Sequence, residues 1–208
     1  MELKSIEFSF LSIFTLITFF IFLMISKYSY KIKNKALLDK DFFKPQAFHQ
    51  HAISRSGGIA GIISLNIFFL IYFLLYLKIL YGYILISNLM FLIGFLDDIK
   101  IKVSPSKRLL LMIIFLFFSI HFLPIKIFNI DIPFLINFLK IDIFSSIFVL
   151  LCFLFIINGA NLIDGFNGLL TINLVIINLV LLYINISNGN NEFSIFLIAQ
   201  IIILLSFL

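Results

Sequence analysis

Gly57-Gly58-Ile59-Ala60-Gly61-Ile62-Ile63-Ser64-Leu65-Asn66-Ile67-Phe68-Phe69-Leu70-Ile71-Tyr72-Phe73-Leu74-Leu75-Tyr76-Leu77 runs without a single charged side chain. A helix that crosses the hydrocarbon layer needs about 20 consecutive apolar residues, since lipid offers nothing to satisfy backbone polar groups. This run is read as a membrane span. Working outward, further apolar runs cover Ile6 to Ile25, Leu80 to Leu96, Leu109 to Ile125, Ile143 to Ile157, Leu169 to Ile186 and Phe193 to Leu208. The first has Lys4 ahead of it but is too long for a signal-peptide core and lacks a small-residue cleavage site, so it too is read as a span. The 208 residues are 62% hydrophobic and 12% charged, with mean hydropathy +1.20. An ordinary soluble domain is roughly half apolar and about a quarter charged, so a soluble globular fold is excluded. The expected fold class is all-α: a polytopic transmembrane helical bundle of about seven spans, forming one integral-membrane domain over residues 1–208. A single cysteine, Cys152, permits no intrachain disulfide. No internal repeat is visible, so the inverted-repeat pattern of many transporters is missing.

A net charge of +5 could point to nucleic acid, but in a membrane protein basic residues gather in cytoplasmic loops. Lys27, Lys31, Lys33, Lys35, Lys40, Lys44 and Arg55 follow the first run, and Lys100, Lys102, Lys107 and Arg108 follow the third. Only Lys4, Lys78, Lys126 and Lys140 fall on the other parity. Those two groups of loops are therefore expected in the cytoplasm, with the N-terminus outside and no nucleic-acid partner. The same parity places Asn158 to Gly168 on the cytoplasmic side. Lys126 to Asp142, which mixes Ile, Phe and Pro with Asn, Asp and Lys, is expected as a short hairpin or as a helix lying in the interface.

Polar clusters thus collect on one expected face. At the end of the third run stands Gly94-Phe95-Leu96-Asp97-Asp98. Adjacent carboxylates repel, so the pair either raises one pKa or recruits a divalent cation. The structural alternative is a solvated helix end neutralised by Lys100 and Lys102. After the short fifth run comes Asn158-Gly159-Ala160-Asn161-Leu162-Ile163-Asp164-Gly165-Phe166-Asn167-Gly168, with Asn158, Asn161, Asp164 and Asn167 recurring every three residues. That spacing makes one polar stripe on a helix or a tighter turn. Helix-to-helix hydrogen bonding would explain the Asn residues, but Gly159, Gly165 and Gly168 are expected to let a ligand approach the backbone. The first loop holds Lys44-Pro45-Gln46-Ala47-Phe48-His49-Gln50-His51 and continues to Arg55-Ser56-Gly57-Gly58. Its cations, with the N–H groups of Gly57 and Gly58, would suit phosphate.

Together, Lys44-Pro45-Gln46, Phe48-His49, Arg55-Ser56-Gly57-Gly58, Gly94 to Asp98 and Asn158 to Gly168 resemble the polyprenyl-phosphate N-acetylhexosamine-1-phosphate transferases, of glycosyltransferase 4 type. The resemblance implies transfer of a sugar 1-phosphate from a UDP-N-acetylhexosamine to undecaprenyl phosphate, releasing UMP. It implies Mg2+, with Mn2+ as the alternative ion, and the cytoplasmic face of a bacterial inner membrane. The Arg-containing Ser54 to Gly58 is similar to the branch that begins O-antigen, common-antigen or teichoic-acid linkage units, and so implies a place in lipopolysaccharide or cell-wall biogenesis. By this resemblance Asp97, Asp98 and Asp164 are catalytic, with Asp97 accepting the proton of the lipid phosphate and Asp98 and Asp164 holding the metal. Lys44, His49, Arg55, Asn158, Asn161 and Asn167 would contact substrate. A homodimer is left open.

Two departures accompany the resemblance. Asn167 stands where many relatives carry a second Asp, which removes one negative charge. Family members also continue through further spans, with another metal-binding Asp and a His-rich loop, so the chain is expected to be a C-terminally truncated fragment that is inactive alone. The competing function is a transporter or assembly protein whose acids line a cation path. Against it, the middles of the spans offer only mild groups such as Ser12, Thr15, Thr18, Asn66, Ser119 and Asn173.

Overall fold

A computed structural model describes residues 2–31, 38–39, 53–54, 56–98, 104–123, 127, 130, 132–163, 168–189 and 191–208. Among the described residues the chain is all-helical apart from one short pairing. Its helices are α1 (Glu2–Lys31), α2 (Gly57–Tyr76), α3 (Tyr81–Asp98), α4 (Pro105–Phe122), α5 (Pro133–Leu139), α6 (Asp142–Ile163), α7 (Leu169–Ser187) and α8 (Asn191–Phe207). Strands β1 (Leu38–Asp39) and β2 (Ile53–Ser54) pair antiparallel, Leu38 with Ser54 and Asp39 with Ile53. Every apolar run of the sequence is a helix. Five are long and apolar enough to cross a membrane: Ser9–Lys31, Gly57–Tyr76, Pro105–Phe122, Asp142–Ala160 and Leu169–Ser187. Tyr81–Leu96 and Phe193–Phe207 are shorter apolar helices.

The chain forms two compact units, one of residues 1–79 and 163–208 and one of residues 80–162. In the first, α1, α2 and α8 pack together and α7 packs on α8. Aromatic rings dominate this core. Phe68 of α2 is fully buried and its ring lies 6.0 Å from Phe10, 5.6 Å from Phe14, 5.8 Å from Tyr72 and 6.0 Å from Phe196. In lipid, helices gain little from hydrophobic transfer and associate through close packing, which small residues permit. Ala60, Ser64 and Ala199 are buried accordingly. Helices α2 and α8 run antiparallel in one register: a side chain added at Gly57 would overlap the Phe207 ring, one at Gly61 would touch Ile203 at 4.0 Å, and Phe68 meets Phe196.

The second unit is built on α3, α4 and α6. Leu116 and Ile120 of α4 pack with Val149 and Leu150 of α6, and Met90 of α3 and Phe153, Leu154 and Ile157 of α6 close around them. Within 126–142 the structure has α5, a short helix rather than a hairpin among the described residues. Its Leu139 is buried while Phe134 is exposed.

Local chemistry accounts for the boundaries. Helix α4 begins at Pro105, four residues before the apolar run, because Ser104 is extended (φ −59°, ψ 147°) and a proline follows it at the first helical position. Helix α2 ends on Leu77 in the left-handed region (φ 53°), whose N–H bonds the Phe73 carbonyl at 2.8 Å. Gly168 (φ 75°) starts α7 from the same region, where only glycine is unstrained. Mid-helix amides turn back on their own helix: Asn66 donates to Ile62 at 2.9 Å and Asn178 to Leu174 at 2.8 Å.

Candidate functional site

Within the second unit, polar residues stand at the end of α3, at the start of α4 and toward the end of α6. Asp97 and Asp98 form the last turn of α3; their side chains lie outside the described atoms. A carboxylate at a helix C-terminus opposes the macrodipole. The start of α4 carries the mirror arrangement, with Lys107 and Arg108 in or beside a first turn that has no acid and no side-chain cap. Each set of charges thus stands where its own helix disfavours it. Residues 99–104 separate α3 from α4 in the sequence, and the first N–H groups of a helix have no partner within the helix itself.

A cleft of about 360 Å³ is lined by Pro105, Ser106, Arg108, Leu109, Met112 and Asn158. The lining combines a hydroxyl, a guanidinium and a carboxamide with the apolar side chains of Leu109 and Met112. Asn158 donates to the Leu154 carbonyl at 2.8 Å, which commits one N–H and fixes the side chain on its helix. Such a lining suits a molecule that is anionic at one end and hydrocarbon at the other.

Sequence reasoning assigned Asn158 to a site and counted Arg108 only as a loop charge; Ser106 was not singled out. The signal was present: Ser104-Pro105 is a helix start, and two bases follow it with no acid to offset them. Helix α6 continues through Asn158 and Asn161 to Ile163, so those two stand on successive turns of an α-helix rather than on a tighter turn. Lys44, His49, Arg55, Asp164 and Asn167 lie outside the described residues, as does the side chain of Asn161.

In the first unit the structure gives two glycines a packing role. The space beside Gly57 is taken by the Phe207 ring, and Gly168 combines a positive φ with Leu208 at 3.0 Å from an added Cβ. Gly159, in contrast, has nothing within 4 Å of an added Cβ, which agrees with an open approach beside Asn158. Ser56 is the N-cap of α2 but makes no side-chain cap. Its hydroxyl belongs instead to a chain: Ser29 donates to Ser26 at 2.6 Å, Ser54 meets Ser29 at 2.6 Å, and Ser56 meets Ser54 at 2.6 Å. A hydroxyl has one proton, so with Ser29 committed to Ser26, Ser54 donates to Ser29 and Ser56 donates to Ser54.

As for a metal, among the described residues no group of three or more His, Cys, Asp and Glu could hold one. The donors expected from sequence, carboxylates with carboxamides nearby, are hard oxygen ligands of the kind Mg2+ takes. Asp97 and Asp98, in the last turn of α3, are acids of this kind.

Compared with known proteins, residues 80–208 match the family model described as Glycosyl transferase family 4. The match runs from the start of α3 to the end of α8 and includes Asp97, Asp98, Arg108 and the Asn158 to Gly168 segment; Lys44, His49 and Arg55 precede it. No curated protein and no solved structure matches the chain.

Proposed function

This chain belongs to glycosyl transferase family 4, and from that premise we propose that it transfers an N-acetylhexosamine 1-phosphate from a UDP-sugar to undecaprenyl phosphate, with release of UMP. At the general level membership means a sugar-phosphate transferase of the membrane, with a nucleotide-sugar donor and a lipid-phosphate acceptor. The observation that supports the finer reading is the cleft of the second unit, lined by Arg108 and Asn158 together with Leu109 and Met112.

In this reading an oxygen of the lipid phosphate attacks the sugar-bearing phosphorus of the donor. The bond from that phosphorus to the bridging oxygen breaks, and UMP leaves with the bridging oxygen. Asp97 accepts the proton of the lipid phosphate. Asp98 and Asp164 would hold Mg2+, whose charge screens the pyrophosphate. Arg108 and the spare N–H groups of α4 draw the acceptor phosphate into the cleft, and Leu109 and Met112 receive the first hydrocarbon of its tail. Asn158, Asn161 and Asn167 bind the nucleotide or sugar, and Lys44, His49 and Arg55 contact phosphate. We read α3 and α8 as spans alongside the five longer helices, with the N-terminus outside, the site facing the cytoplasm and the enzyme in a bacterial inner membrane. The product would begin an envelope polysaccharide.

The test is UMP release by the full-length protein in nanodiscs supplied with a UDP-N-acetylhexosamine, undecaprenyl phosphate and Mg2+. Wild type is expected to turn over and Asp97→Asn to lose at least about a thousandfold, within the range of general-base and positional losses. Asp98→Asn and Asp164→Asn are expected to abolish release with membrane insertion intact. Loss of insertion would instead assign these acids a structural role.

A further inference from the structure

Helix α5 has 7 residues and is about 10 Å long, roughly a third of what crossing the hydrocarbon layer requires. Its outward side is nevertheless apolar. Phe134 is 72% exposed, and Ile132, Phe138 and Ile141 are exposed with it, while Leu139 is buried. The rings form a ladder: Phe134 lies 5.0 Å from Phe138, Phe138 lies 5.4 Å from Phe144 of α6, and Phe144 lies 6.3 Å from Phe148. The ladder thus passes around the corner between α5 and α6 onto a helix long and apolar enough to cross a membrane. The first turns of that helix also expose Ile143 and Ile147. Backbone donors at both ends of α5 are accounted for. Pro133 has no N–H, Leu135 and Ile136 donate to the Ile132 carbonyl at 2.9 and 3.3 Å, Ile141 donates to Phe138 at 3.0 Å and Ser145 to Ile141 at 2.9 Å. A backbone closed in this way tolerates lipid, which offers no partners for polar groups.

We propose that α5 is an interfacial anchor, whose aromatic ladder lies among the acyl chains of the phospholipid leaflet at the end where α6 begins. Exposed apolar side chains gathered in one patch mark an interaction surface. Continuity with the exposed apolar side of α6 identifies the occupant as lipid, because both sides then share one medium. Asn137, Lys140 and Asp142 are exposed on α5 and at its corner with α6. They supply the polar groups for headgroup level, and the Lys140 stem reaches past apolar neighbours to carry its ammonium there. A helix held this way sinks its apolar side about 5–10 Å into the boundary between headgroups and chains. Helix α6 also carries Asn158 of the cleft, toward its other end. A fixed depth for α5 is therefore a fixed height for that part of the cleft. The proposal needs nothing from the transferase reading.

The chain contains no Trp, so a single introduced Trp reports without background. Phe134→Trp and Phe138→Trp each replace one exposed ring by another. Ile147→Trp, further along α6, serves as a reference for greater depth. Each variant is placed in nanodiscs of phosphatidylcholine brominated either near the headgroup end of the acyl chain or near its methyl end, and Trp emission is recorded. Both α5 variants are expected to emit at blue-shifted wavelengths and to lose most of that emission to the shallow bromines and little to the deep ones. Ile147→Trp should show a higher ratio of deep to shallow quenching. Red-shifted, unquenched emission from the α5 variants would put the ladder in water. Blue-shifted, unquenched emission would put a protein partner or a second copy over it. Deep quenching equal to that of Ile147→Trp would make α5 a re-entrant helix. Any of these three results overturns the proposal, and the two α5 positions make the answer independent of one variant that fails to fold.

Discussion

Arg108 shows how much a single residue's setting adds to its identity. As one of 15 Lys and Arg residues it is a vote for orientation; in the first turns of α4 it lines a cleft with Ser106 and Asn158, and the proposed function gives it the acceptor phosphate to bind. Arg108→Ala should raise KM for the acceptor by about 10- to 100-fold, the loss expected for a charge-assisted hydrogen bond of about 1.5–3 kcal/mol. Arg108→Lys should recover part of it, because the point charge remains while the planar fork is lost. Steady-state kinetics with varied undecaprenyl phosphate measures both, and an unchanged KM in Arg108→Ala would remove the residue from the site. Asp97 and Asp98 stand out in the sequence because two adjacent acids after a long apolar run are conspicuous in themselves. Ser106 does not, since a serine acquires a role only through its neighbours.

Elements were legible where hydrophobicity alone sets them. Each apolar run became a helix, and differences were confined to ends: α4 starts earlier than its apolar run because proline starts it, and α6 runs on past its apolar run to Ile163, keeping that backbone hydrogen-bonded. At this scale the centre of the α1, α2 and α8 packing is Phe68. Replacing it with alanine opens a cavity among rings that cannot collapse into it and should cost about 3–5 kcal/mol, with Phe68→Leu milder. Denaturation midpoints in detergent would show the order, and equal effects would mean the ring contacts do not matter. At the other end of α2, Leu77 adopts a left-handed conformation that costs a residue with a Cβ about 1–2 kcal/mol. Since Leu77 is exposed, little packing is lost on its replacement. Leu77→Gly should therefore stabilise the protein by about 1 kcal/mol in the same assay, opposite in sign to glycine substitution within a helix. A lower midpoint would show that lipid or packing contacts of Leu77 outweigh its strain.

For the whole molecule, orientation is the property that the basic residues assign and that topology makes testable. Starting from a Cys152→Ser background, which removes the one native thiol, a cysteine at Asn188 should react with a membrane-impermeant reagent on intact cells. One at Ser104 should react only after the cells are opened. The reverse pattern would invert the topology and place the cleft outside. The composition of two compact units also matters here. The cleft with Arg108 and Asn158 belongs wholly to one unit, and the Phe207 notch and serine chain wholly to the other, so each can be perturbed and scored separately.

The sequence by itself determined that this is a helical membrane protein, roughly where each helix lies, and which segments carry polar chemistry. These are one-dimensional properties: the bilayer demands a length of apolar residues, and hydropathy is written along the chain in order. Tertiary structure alone decided which glycine is a notch for a neighbour and which is open, and which residues share a cleft. Gly57 meets Phe207, and Arg108 and Asn158 line one cleft, across long stretches of sequence. Such pairings follow from how helix surfaces interlock, and a local pattern of apolar residues is satisfied equally well by many registers. Only steric fit between whole helices selects one of them.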